Sequence, residues 1–206
     1  QVCEQSDDVA LKREVILSLG KLIEHRADLP PEQAESLQSL ISASLQDKDR
    51  GLRIAAARTL GRLGDESDIP LLLAGFEDSE VAMRVQCLNS IQALLEANDG
   101  GVMNYAELAE QILFQFDNNE IGIHRAAIDA LMPLLENKLN GNAQSIRETA
   151  IDRLITAGLA GSDGQVREMS QGMNALDKIL SSTRLLARLN QSDTSIERRY
   201  LIEMLA

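Results

Sequence analysis

Tryptophan is absent from this 206-residue chain, aromatics make up 2% of it, and it has two cysteines and two histidines. Each scarcity removes a class of fold or function. So few aromatics, beside plentiful Leu, Ala, Ile and Gln, give little to a β-sandwich and suit helices packed closely through small side chains, so an all-α fold is expected. Cys3 and Cys87 suggest no disulfide framework. Cys87 stands at an apolar helical position and reads as a small buried hydrophobe, which fits a reducing, cytoplasmic setting. No run of eighteen apolar residues occurs, so no segment reads as a membrane span. His25 and His124 stand far apart with no Cys or carboxylate at ligand spacing, so neither a metal nor another cofactor is expected. Positive charge is also short: 20 Lys and Arg face 32 Asp and Glu, a formal net charge of −12. A molecule of that sign repels phosphate backbones and anionic membranes, so neither is an expected partner. The chain begins at Gln1 without the zones of a signal peptide and reads as one domain, 1–206, cut from a longer protein.

What the chain does contain is a repeated pattern, clearest from Asp47 to Leu73. Leu52, Ala56, Leu60 and Leu63 have helical spacing, Gly64 and Asp65 stop that helix, and Pro70 opens another. Ala55, Ala56 and Ala57 are small enough for neighbours to lie close on more than one side. The pattern recurs at spacings of about 30 to 43 residues, the range of helical solenoids. Lys12, Arg53, Arg84, His124 and Arg167 fall in one column, each after an apolar residue, with Val15, Ala56, Cys87, Ala127 and Ser170 three residues later. This predicts second helices of successive pairs over 8–25, 49–64, 80–97, 120–138 and 164–180. First helices are expected over 31–45, 69–76, 105–116 and 145–157, the third after a break at Gly100-Gly101. Leu185, Leu186 and Leu189 suggest a short helix beyond Ser181, and Asp193 or Thr194 caps a last one with Glu197, Arg198 and Arg199 on its outer side.

At these columns, over about residues 8 to 180, the chain resembles HEAT repeats, in particular the short bacterial subclass also seen in phycobilisome lyase subunits. The specific marks are an Asp six residues before the Arg (Asp47 with Arg53, Asp78 with Arg84), the run Leu60-Gly61-Arg62-Leu63-Gly64-Asp65, and Pro70. The resemblance implies an α-solenoid of about five helix pairs closed by a C-terminal capping helix, with second helices lining a concave surface. It also implies a polar ladder between neighbouring repeats, here Asp47, Arg53, Asp78, Arg84 and, in place of Arg, His124. The other copies depart from it, with Ser6, Asn118 and Gly161 where the Asp would stand.

No catalytic constellation emerges. No His is followed by Glu, as in the iron-dependent hydroxylases built on HEAT-like repeats, and the basic aromatic groove of the DNA glycosylases on a similar stack is missing. Gly61 to Gly64 lies at a helix end and lacks the phosphate-loop pattern. No serine sits in a strand-turn-helix setting with a partner His. The chain is therefore expected not to be an enzyme. Arg58 and Arg62 share a helix face, one turn apart, and with Arg84, Asn89, Arg125 and Asp129 they are the candidate partner-binding residues. The expected function is a scaffold that holds a partner protein, or another domain of its parent chain, on the concave face. The alternative, implied by the lyase resemblance, is an accessory subunit that holds a client during enzyme or cofactor maturation.

Overall fold

The structure, a computed structural model, describes residues 8–22, 29–97, 104–117, 120–160 and 163–205. Among these residues it is all-α, with ten α-helices and no strand. Contacts gather the chain into two compact units, Gln1–Met103 and Asn104–Ala206.

The first unit holds α1 (Val9–Leu22), α2 (Pro31–Leu45), α3 (Arg50–Leu63), α4 (Ile69–Leu73) and α5 (Val81–Ala97). Helices α1, α3 and α5 lie side by side, with α2 against α3 and α4 against α5. The starts and stops follow local chemistry. Pro31 opens α2 at a first-turn position where its missing N–H costs nothing. Asp49 caps α3 by accepting the Leu52 N–H at 2.8 Å, and the Gly64 N–H closes the helix on the Leu60 carbonyl at 2.7 Å. Asp65 and Asp68 then form a capping box, and Pro70 leads into α4, which tightens into a 3-10 turn over Ala74–Glu77.

Helix α3 is the centre of this unit and is buried nearly all round, at Leu52, Ala55, Ala56, Ala57, Leu60 and Leu63. Ile16, Ile41, Ile69, Leu72, Met83, Leu88 and Ile91 complete the surrounding core. Each such large side chain contributes about 1.5–3 kcal/mol of burial. Two hydroxyls fix the stacking. Thr59 Oγ1 of α3 donates to the Ile16 carbonyl of α1 at 3.2 Å, and Ser90 Oγ of α5 donates to the Ala57 carbonyl of α3 at 2.8 Å. Thr59 and Ser90 each stand six residues after the column Arg, and their acceptors stand four after it in the preceding copy. Eight after it come Gly20 and Gly61, facing those same hydroxyl residues. A Cβ at Gly61 would lie 2.6 Å from Ser90 Cβ and 2.7 Å from its Cα, so only glycine admits this approach of α3 to α5.

The second unit holds α6 (Tyr105–Leu113), α7 (Ile121–Pro133), α8 (Ala143–Ala160), α9 (Asp163–Gln191) and α10 (Ser195–Leu205). Leu108, Ile112, Phe116, Met169 and Met173 are all buried in its core. Pro133 has no N–H for the helical ladder, and the next five residues, Leu134–Lys138, widen into a π turn that closes with the Leu139 N–H on the Leu134 carbonyl. Thr194 caps α10 by accepting the Glu197 N–H at 3.2 Å.

Most helices lie within a few residues of the spans the spacing predicts, α2 to the residue. The region after Met173 differs. Helix α9 runs through to Gln191 and breaks at Asp177 (φ −170°, ψ 108°), not at Ser181. Asp177 Oδ1 accepts the Leu180 N–H at 2.9 Å, so it acts as the cap of a new helix, and Ser181 is buried inside that helix. The apolar pair Ile179-Leu180 disguises this cap in the sequence. On α10 the outward positions include Ile196 and Ile202, 69% and 55% exposed, as well as charged Arg198 and Arg199.

The Gly61 contact generates a direct test. Gly61→Ala should lower unfolding free energy by about 1–3 kcal/mol through overpacking, read from the midpoint of urea denaturation. Wild-type stability in the variant would show that α3 and α5 are not held at this distance.

Candidate interaction surface

The polar column begins with Arg53. Its Nε and Nη2 grip the Asp78 carboxylate of the next copy at 2.8 and 3.2 Å, and its Nη1 donates to the Asp47 and Lys48 carbonyls at 3.0 and 3.1 Å. Arg84 repeats half of this, with Nη1 on the Asp78 carbonyl at 2.6 Å. The two aspartates also serve alike: Asp47 Oδ1 accepts the Asp49 N–H at 2.8 Å and Asp78 Oδ1 accepts the Glu80 N–H at 2.9 Å. One pattern, Asp and then Arg six residues on, thus ties a helix start to its own connecting loop and to the next repeat. Both side chains of the Arg53–Asp78 pair are largely buried, at 15% and 13% exposure. Burial works to raise the Asp78 carboxyl, but the hydrogen bonds from Arg53 and Glu80 and the charges of Arg53 and Arg84 outweigh it and hold the carboxyl below the usual range. The hydrogen bond to Asp78 raises Arg53 correspondingly.

In the second unit His124 takes the Arg position. It is buried, its Nε2 lies 3.0 Å from the Phe116 carbonyl, and its ring stacks on Phe116 at 6.0 Å between centroids. It thus joins a second helix to the 3-10 turn, Phe114–Asp117, that ends α6. Ser6, Asn118 and Gly161, which stand at the Asp spacing in the other copies, lie outside the described residues, as do Cys3 and His25. Cys87 is buried against Gly75, and burial, followed by the charge of Asp78, pushes its thiol up to about 12. Such a thiol is protonated and unreactive at neutral pH. Among the described residues no group of three His, Cys, Asp or Glu side chains could hold a metal, and no helix is long and apolar enough to cross a membrane.

Arg58, Arg62 and Asn89 are exposed on α3 and α5. Arg84 is half-buried, with its Nη1 on the Asp78 carbonyl. A chain of hydrogen bonds reaches Arg58 from α5: its Nε donates to Gln86 Oε1 at 3.3 Å, Gln86 Nε2 donates to Ser90 Oγ at 3.1 Å, and Ser90 Oγ donates to the Ala57 carbonyl. A surface arginine is thereby tied to the buried contact between α3 and α5. Its two Nη groups have no partner among the described residues.

Arg13 and Lys21 continue this face on α1, both exposed. The Arg13 guanidinium lies over Gly51 at the start of α3, and Lys21 holds the place on α1 that Arg62 holds on α3. Helices α1, α3 and α5 together carry eight of the chain's 20 Lys and Arg, and only Glu14 and Glu96 of its 32 acids.

Arg125 and Asp129, both exposed on α7 of the second unit, line a cleft of about 190 Å³ with Ile128 and, from α9, Met169, Gln171 and Gly172. Elsewhere in that unit Arg153 bonds Asp117 at 2.7 Å and the Leu113 carbonyl at 3.2 Å, while Arg184 bridges Glu148 and Asp152. Two further clefts there, of about 460 and 330 Å³, share Asp152 and Thr156.

Sequence reasoning missed Gln86, Arg13 and Lys21, and the hydroxyl and glycine columns behind Arg58. A signal for the columns was present: Thr59 and Ser90 align six residues after Arg53 and Arg84, and Gly20 and Gly61 eight after Lys12 and Arg53. Gln86 has no counterpart in the other copies.

Removing the Asp78 carboxylate charge should be costly. Asp78→Asn leaves Arg53 without its charged partner and should cost about 1–3 kcal/mol at neutral pH. Because the folded carboxyl is held low, its contribution is present above the unfolded value of about pH 4 and is lost as pH falls through the folded value. The stability gap between wild type and variant, from denaturant titrations at several pH values, should therefore be constant from pH 7 to 5 and close below about pH 4. A gap that persists into stronger acid would show that the loss is steric, not electrostatic.

Residues 1–99 match the family model described as HEAT repeats, a family that in general forms protein-interaction scaffolds and is typically non-catalytic. No curated protein matches the chain. The stacked second helices joined by Arg53 and Asp78 lie within that match, so residues 1–99 are similar to HEAT repeats.

Proposed function

We propose that the chain is a non-catalytic scaffold, acting in the cytoplasm, whose exposed second-helix side chains hold a partner protein or another domain of its parent chain. The observation that carries this is the exposed trio Arg58, Arg62 and Asn89, set on neighbouring helices whose spacing is fixed by buried hydroxyl bonds. Stacked helices of this kind give a rigid surface on which outer residues vary without disturbing the core. Arg125 and Asp129, beside their cleft on α7 and α9, are a second candidate contact of the same kind. In this reading Arg84 and His124 contribute by holding helices and loops in place, and Arg58 and Arg62 meet the partner.

Affinity capture from a lysate of the source organism tests the proposal. The full chain and an Arg58→Glu, Arg62→Glu variant, shown by circular dichroism to be folded, should differ by the loss of a specific protein from the variant's eluate. Identical eluates that contain a specific partner would remove the two arginines from the binding surface. If both eluates are empty, the second reading, an intramolecular partner, predicts that adding the rest of the parent chain in trans restores a complex with wild type and not with the variant.

A further inference from the structure

The first unit separates its charge sharply. Its second helices are basic, almost free of acids, in a chain whose formal charge is −12. Arg50 and Arg53 are already paired, with Glu80 at 3.1 Å and Asp78 at 2.8 Å. Arg13, Lys21, Arg58 and Arg62 are exposed and form no ion pair among the described residues. Leaving four exposed cations unmatched in a molecule with so many acids runs against simple charge balance. The arrangement suits a ligand that supplies the missing carboxylates.

Resting on the scaffold reading, we infer that this face is the receptor for an extended acidic peptide segment of a partner protein, with the Arg58 guanidinium as its carboxylate clamp. The clamp is preorganised. Arg58 Nε is engaged by Gln86, which is held by Ser90, which is held by the Ala57 carbonyl, so the Nη edge is presented outward with much of the arginine's side-chain freedom already lost. A carboxylate accepts two parallel N–H bonds from such an edge, a geometry a lysine cannot reproduce.

The spacing also fits an extended chain. Arg58 and Arg62 are separated by about 6 Å along the α3 axis, so both can reach one peptide that crosses the helix. Neighbouring packed helices are about 8–10 Å apart, close to the roughly 9 Å turn of a polyproline II chain, which returns every third side chain to one face, so acids three apart in a crossing peptide meet Lys21 on α1 and Arg62 on α3 in turn. Asn89, next along on α5, offers its amide to the peptide backbone. A nucleic acid fits less well, because its unbroken line of phosphates would run past the basic helices into the acidic remainder of the unit.

The test uses the full chain and fluorescence anisotropy with a labelled peptide of Glu-Ser-Thr repeats, about 12 residues long, at about 50 mM salt. A matched peptide with Gln for every Glu, and a single-stranded oligonucleotide of similar length, are the comparisons. The Glu peptide should bind at least about tenfold tighter than the Gln peptide and weaken steeply with salt. Arg58→Lys should reduce its affinity about 5–10-fold, and Gln86→Ala about 2–4-fold by releasing Arg58. Arg50→Gln, whose wild-type residue is occupied by Glu80, should change it less than about 2-fold, with all variants unaltered in circular dichroism. Equal binding of the Gln peptide, full affinity in Arg58→Lys, tighter binding of the oligonucleotide, or no binding of any probe would each overturn the acidic-peptide assignment. The scaffold reading is judged separately, by the charge-reversed capture, so the two can fail independently.

Discussion

The structure of the first unit depends on one close contact, the crossing of α3 and α5 where Gly61 faces Ser90. Glycine brings the backbones near enough for Ser90 to donate to the Ala57 carbonyl, and Gly20 with Thr59 and Ile16 repeats the arrangement between α1 and α3. A helix carbonyl that already accepts a bond from its own helix can accept a second, so these hydroxyls satisfy themselves in the core without breaking a helix. Since α3 touches helices on several sides, the small side chains of Ala55, Ala56 and Ala57 extend the same logic around its circumference.

Charge is organised around this packing. Asp78 and Arg53 are matched where two repeats meet, partly shielded from solvent, while the acids elsewhere in the unit serve at helix starts and loops, as Asp49, Asp65 and Asp68 do. Acid at a helix N-terminus is favourable by dipole and by capping, which accounts for where the acids sit. It leaves the second helices basic by exclusion. Arg58 is the point at which packing and charge connect, because the serine that holds two helices together also orients the glutamine that orients the arginine.

The architecture was legible in the sequence because it is periodic. The apolar and Arg columns placed nearly every helix, and Asp47, Arg53, Asp78 and Arg84 could be aligned by eye. Breaks in the period were harder to see. Asp177 caps a helix in the middle of what reads as continuous amphipathic sequence, and Pro133 ends in a π turn and not in a simple helix stop. The surface was legible only in part. Arg58 and Arg62 share a face by spacing alone, but Gln86 gains its role from a neighbouring helix 28 residues away, a relation that no local pattern encodes.

The outer residue Arg58 and the buried Thr59 are adjacent in the chain, and the same step from surface to core recurs at Asn89 and Ser90. A helix turns by about 100° per residue, so deleting one residue between Arg53 and Arg58 would put the arginine in the buried place of Ala57 and the hydroxyl in the exposed place of Arg58, and inserting one would bury the arginine in the place of Thr59. Substitution and length change are therefore unequal kinds of variation here. The identity of the outer side chain can drift freely from one descendant sequence to another, whereas the count of residues between the ladder arginine and the hydroxyl is locked, so new binding specificities in such a stack arise by exchange of single residues or by gain of whole repeats.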